Sequence, residues 1–176
     1  MNPREKAKAI LAAIIEVAGG SFNGKTRLYK AFYFAHLMHF KVHDGVLSDY
    51  PIVRLPRGPA VDAGDLLLRE LRDQGVLQLG QRPVGPYVEE VFTLRQKIGG
   101  LTIEELDSIR QAVAHIGDRA AVAVSDETHE FSNTWDDTDN GRQMNIYADL
   151  LTESEYDEMK QRHREIGEAV DAIFTG

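Results

Sequence analysis

Residues 19–26 read Gly-Gly-Ser-Phe-Asn-Gly-Lys-Thr. The run fits the phosphate-loop pattern letter for letter: glycines from Gly19 expose backbone amides, Lys25 meets phosphates, and Thr26 offers a hydroxyl to magnesium. Further on, Ala121 to Glu127 imitates the apolar strand with an acidic end that would hold that metal. His36, His39 and His43 fall within about 60° of one another if a helix carries them, an arrangement able to bind zinc. No carboxylate is spaced to orient them, so histidines packed along a central helix are the simpler expectation. Asp137, Asp139 and Gly141 are spaced somewhat as in a calcium loop, but Gly141 falls on a ligand position and Ala148 stands where a bidentate Glu is required. His129, Trp135, Asp136 and Asp137 form the densest polar-aromatic cluster. It offers a base and carboxylates, as a metal-dependent hydrolase would need, without an identifiable nucleophile, oxyanion donor or cofactor cradle. No catalytic residue, metal or cofactor is assigned.

The elements around these residues decide between readings. Pro3 suits a first helical turn, and Leu11, Ile14, Ile15 and Ala18 share a face, which predicts a helix over 3–18 ended by Gly19 and Gly20. A phosphate loop must instead follow a buried strand of a parallel sheet, and that context is missing. Asn23 is placed to cap a second helix through about His39, apolar all round and therefore central. A short strand is expected between Val46 and Leu55, closed by a turn at Pro56–Pro59, with a third helix over 60–74 ended by Gly75. Val76–Leu79 and Val88–Leu94 read as a hairpin around the loop Gln81–Pro86. Thr102 with Glu105, and Thr152 with Glu155, are capping boxes. The first opens a helix lined by Leu106, Ile109, Val113 and Ile116; the second opens a last helix, about 152–174, with the stripe Tyr156, Met159, Ile166, Val170 and Phe174. Between them, Ser125–Arg142 reads as a long polar loop. The expected fold is mainly α with a small β-hairpin, an α+β single domain in which helix, helix, helix and hairpin resemble a winged helix and the last helix packs on the rest.

The 176 residues carry a net charge of −8 and no cysteine, which excludes disulfides and thiol chemistry. With no apolar leader and no stretch near the roughly 20 residues a bilayer demands, the chain reads as cytoplasmic, with no membrane partner. The charge is uneven. Residues 1–100 carry 14 basic and 10 acidic side chains, residues 101–176 carry 6 and 18. An acidic chain is a poor default binder of nucleic acid, and the third helix, with Asp62, Asp65, Glu70 and Asp73, would repel phosphates in a groove. A basic partner suits it better.

Three segments carry a resemblance. Lys25-Thr26-Arg27-Leu28-Tyr29-Lys30-Ala31-Phe32-Tyr33-Phe34-Ala35 is similar to the opening signature of the Panacea (SocA-like) antitoxin family. Arg57-Gly58-Pro59-Ala60-Val61 resembles its turn into a helix, with Arg57 in place of the usual aromatic. Val124-Ser125-Asp126-Glu127-Thr128-His129, followed by Trp135, resembles its third segment. The segments come in family order and span about 25–150, with Lys25, Tyr33, Gly58, Pro59, Thr128 and His129 at motif positions. The resemblance implies a helical domain that neutralises a protein toxin encoded nearby, often beside phage genes, by binding it directly rather than by catalysis. Phe34 and Leu37, flanked by Lys30 and Lys41, with His129 and Trp135, are the candidate partner-binding residues. Self-association is left open. The competing readings are a winged-helix DNA-binding regulator and a nucleotide-binding protein using Gly19–Thr26.

Overall fold

Asn2 accepts the Glu5 amide at 2.9 Å and so caps helix α1 (Pro3–Val17), whose residues 7–15 are all buried. The computed structural model describes residues 1–173 with their side chains and the helical backbone of 174 and 175. Two glycines at positive φ, Gly19 and Gly20, turn the chain into strand β1 (Ser21–Asn23). This strand was not expected. It lies antiparallel to β5 (Tyr87–Leu94), with Phe22 opposite Phe92, and β5 also pairs with β4 (Leu77–Val84) to give the order β1-β5-β4.

That pairing moves the start of helix α2 (Lys25–His43). Asn23 is held opposite Val91, and Gly24 donates its amide to Glu90 O at 2.8 Å, so Gly24 at φ +83° precedes the helix and Asn23 does not cap it. Tertiary hydrogen bonds outweigh a local capping preference worth about 1 kcal/mol. As expected, α2 is central: Leu28, Ala31, Phe32, Tyr33 and Ala35 are wholly buried.

Strands β2 (Ile52–Leu55) and β3 (Gly58–Val61) form a second hairpin. Pro59 therefore does not open a helix; it stands opposite Arg54, and helix α3 runs later, over Gly64–Asp73. Helix α4 (Ile103–Ile116) begins with both hydrogen bonds of the Thr102–Glu105 capping box in place. The supposed polar loop is largely helical, as α5 (Ala121–Phe131) and α6 (Asn133–Asp137), leading to a 3₁₀ turn over Ile146–Leu150. The sequence carries no hydrophobic periodicity here because Val124 is the one apolar residue on the buried face of α5, beside the polar Ser125 and Thr128.

Helix α7 (Glu153–Thr175) opens on the second capping box, Thr152 with Glu155. It does not pack along the domain. Tyr156 is buried and Met159 half-buried, but Ile166, Val170 and Ile173 are 63%, 44% and 76% exposed. Phe174, expected on the same stripe, has its side chain outside the described residues. The whole is an α+β fold, 58% helix and 16% strand. Its order α1-β1-α2-α3-β4-β5, with β2–β3 inserted before α3, follows the connectivity of a winged helix. Among the described residues, no helix is long and apolar enough to cross a membrane.

Candidate functional site

Lys30 lies on the central helix with 1% of its surface exposed. Its Nζ donates to Pro59 O at 2.9 Å, tying α2 to β3. Burial alone pulls the ammonium down from its ordinary range to about 7. Lys30 was expected on the surface beside Phe34 and Leu37; a helix surrounded by other elements leaves its lysine inside as well.

Gly58, at φ +93°, lets the backbone of β3 approach this point. A Cβ there would stand 2.8 Å from Thr128 Oγ1 and 3.1 Å from His129 Nε2, and would collide with Lys30 Nζ. One turn of each of the three resembling segments thus converges on one spot. Thr128, wholly buried, donates its hydroxyl to Ser125 O at 2.8 Å. The His129 ring is clamped. It stacks on Trp135 with centroids 4.0 Å apart, and Trp135 Nε1 donates to Leu55 O at 3.2 Å. Arg54 fixes Trp135 in turn, its guanidinium 4.4 Å from the Trp135 ring and its Nε donating to Trp135 O at 2.7 Å. Held this way, His129 Nε2 is buried with no hydrogen-bond partner. Burial, then the nearby Lys30 charge, lowers the His129 pKa. Such a neutral imidazole beside a buried lysine can accept or donate one proton to a group placed between them.

Not every motif residue joins this cluster. Tyr33 donates to Asp149 instead, and Lys25 is ion-paired with Asp65 at 3.1 Å and with Glu90 at 3.6 Å. These carboxylates, with Glu89 crowding Gly24 and a helix rather than a strand before Gly19, set the structure against the phosphate-loop reading. The histidine trio also separates. His36 bonds Phe32 O and Ser48 Oγ, both at 2.8 Å, and His39 bonds Ser108 Oγ at 3.0 Å, while His43 only stacks near His39. Among the described residues no three His, Asp or Glu side chains are gathered as a metal site. Asp137 is engaged by Lys160 at 3.0 Å.

Phe34, Leu37 and Lys41 line a surface groove of about 270 Å³ with Met38, His115, Phe131 and Leu150. Phe34 and Leu37 are themselves buried, and Phe34 packs edge-on against His115 of α4, 4.6 Å away, rather than against the C-terminal helix. The groove lies at the root of α7, since Leu150 on its wall is three residues before the helix begins.

Two features went unnoticed in the sequence. Arg54 gave no signal beyond its place before a turn. Asp149 did leave one, a lone acid within the apolar run Ile146–Leu151. It is 2% exposed and accepts hydrogen bonds from Tyr33, Ser132 and both the amide and hydroxyl of Thr134.

No family model, curated protein or solved structure matched the chain.

Proposed function

We propose that this protein is an antitoxin-like binding module that neutralises a protein toxin encoded nearby by direct contact, without catalysis. The observation that carries the reading is α7. From Gln161 onwards every described side chain of this helix is exposed, including Ile166, Val170 and Ile173 on one stripe. Helices in proteins draw most of their stability from packing an apolar face, which this stretch lacks, and Gly167 within it costs about 1 kcal/mol more. Exposed apolar stripes of this kind mark interaction surfaces.

The occupant is a partner protein that presents an apolar groove rimmed by basic side chains. Charge complementarity argues for it: Glu165 and Glu168 flank the stripe, and residues 101–176 carry 18 acidic side chains against 6 basic. The groove beside Phe34 and Leu37 at the root of α7 supplies a second contact. The resemblance of the three converging segments to the Panacea antitoxins supports the same reading. Co-purification tests it: the product of a neighbouring gene should be retained by the full chain and lost by an Ile166→Asp/Val170→Asp variant that still folds. Retention that is indifferent to both substitutions would sink the proposal for α7.

The winged-helix connectivity favours a second reading, DNA binding through α3. The charges on that surface oppose it, because Arg72 pairs with Asp73, Lys25 with Asp65 and, on the hairpin, Arg82 with Glu89. Salt-sensitive retention of the protein on duplex DNA at moderate ionic strength would favour this reading over the first.

A further inference from the structure

The Lys30–His129 cluster has no role in partner capture through α7, and it holds two features that ordinary packing leaves unexplained. The first is a buried amino group with no counter-ion. Among the described residues Lys30 makes no ion pair, and its single hydrogen bond to Pro59 O leaves other N–H groups unused. A buried charge without an anion is costly. The second is His129 Nε2, a buried nitrogen with no partner although its ring is held by stacking on Trp135, which Arg54 in turn covers. Orphaned polar atoms of this kind ask for a missing group.

Both atoms, with Thr128 Oγ1, reach within 3.1 Å of the point where Gly58 lacks a side chain. Two small clefts, of about 180 and 280 Å³, flank that point and share Thr26 and Arg57 on their walls. Lys30 lines the first and His129 the second. Arg57 is exposed, and among the described residues its guanidinium has no partner. Asp126, on the wall of the second cleft, is the one acid lining either of them. Lys30 and Arg57 therefore bring donors to a space beside the unpartnered His129 Nε2, where Asp126 and Asp136 are the acids near enough to act on the imidazole. We propose that this cleft is a binding site for a small oxyanion, a phosphate or a carboxylate group, received by Lys30 Nζ and His129 Nε2 at Gly58 and closed over by Arg57. Arg57 suits either group, because its planar fork matches both geometries.

The test is a titration of the full chain with sodium phosphate and, separately, with sodium acetate. Ionic strength is held constant with chloride at pH 6.5, and NMR follows the Lys30 ε-methylene and the His129 ring. Saturable shifts at both residues are expected with at least one oxyanion and not with chloride; whichever saturates at lower concentration distinguishes phosphate from carboxylate. Lys30→Met, which keeps the apolar stem, should abolish saturation, and Arg57→Ala should weaken it roughly tenfold at an unchanged melting temperature. Linear shifts with both anions overturn the proposal, as does saturation that survives Lys30→Met. So does a crystal structure grown in high phosphate that shows only a water between Lys30 Nζ and His129 Nε2. Should Lys30→Met fail to fold, Arg57→Ala decides alone, and wild-type affinity in that variant counts against the site.

Discussion

Tyr33 Oη donates a 2.7 Å hydrogen bond to Asp149 Oδ2, joining the middle of the central helix to the 3₁₀ turn 116 residues further along the chain. Ser132 shares the same oxygen, and Thr134 occupies the other with its amide and its hydroxyl. Burial pushes the Asp149 carboxyl up, and the four donors oppose that shift. Asp149→Ala leaves those donors facing an empty buried space, so it should lower stability by about 3–5 kcal/mol in chemical denaturation. Tyr33→Phe removes one donor only and should cost about 1 kcal/mol. Equal effects from the two would mean that the four donors do not act through Asp149.

His36 sets a pH dependence. It is 1% exposed, and burial lowers its pKa from 6.5 to about 4. The unfolded chain therefore binds the proton at higher pH than the folded one, and stability must fall as pH drops from about 6.5 to about 4. Two and a half decades of difference correspond to about 3 kcal/mol. Equilibrium unfolding across that range should show the loss, and His36→Gln should flatten it. A slope unchanged by the substitution would shift the effect to other groups, such as His39 and His129, whose pKa values burial also lowers.

Trp135 is predicted to act as a clamp for His129. Trp135→Phe keeps a ring for stacking but loses the hydrogen bond to Leu55 O, a cost of about 1 kcal/mol. Trp135→Ala loses the stack, the cover over Arg54 and the apolar surface, and should cost about 2–3 kcal/mol. The His129 pKa should then rise towards its ordinary value as water reaches the ring. An NMR titration of the imidazole reads this directly, and an unmoved midpoint in Trp135→Ala would deny the clamp.

Periodicity alone places α1, the central α2 and α4, because their apolar residues recur every three or four positions and their boundaries carry proline, glycine or a capping box. It fails where long-range pairing decides. Ser21–Asn23 becomes a strand only because β5 lies beside it, and Gly58–Val61 only because β2 does. Helix α5 is illegible to a hydrophobicity pattern because Ser125 and Thr128 bury polar groups against their own backbone and neighbours. The candidate cluster was half legible. The resemblance put Gly58, Thr128 and His129 at motif positions and Lys30 was read only as a flank of the partner-binding patch, while their convergence on one point needs the approach of β3 to α2 that glycine permits. Arg54 could not be foreseen, since its role exists only once β2 lies against Trp135.

Helix α7 should be dispensable for folding. Ending the chain after Lys160 removes residues whose described side chains, 161–173, are all exposed, and should leave the melting temperature within a few degrees of the full chain. A cooperative transition that disappears on truncation would mean that α7 helps to close the core.

Growth rescue is the most direct measurement. Each neighbouring open reading frame is expressed in bacteria with the full chain, with the Ile166→Asp/Val170→Asp variant, and alone. On the antitoxin reading, one neighbour arrests growth, the full chain restores it and co-purifies with the toxic product, and the doubly substituted chain does neither while remaining folded. Toxicity that persists despite soluble full-length protein, or an absence of any toxic neighbour, would contradict it.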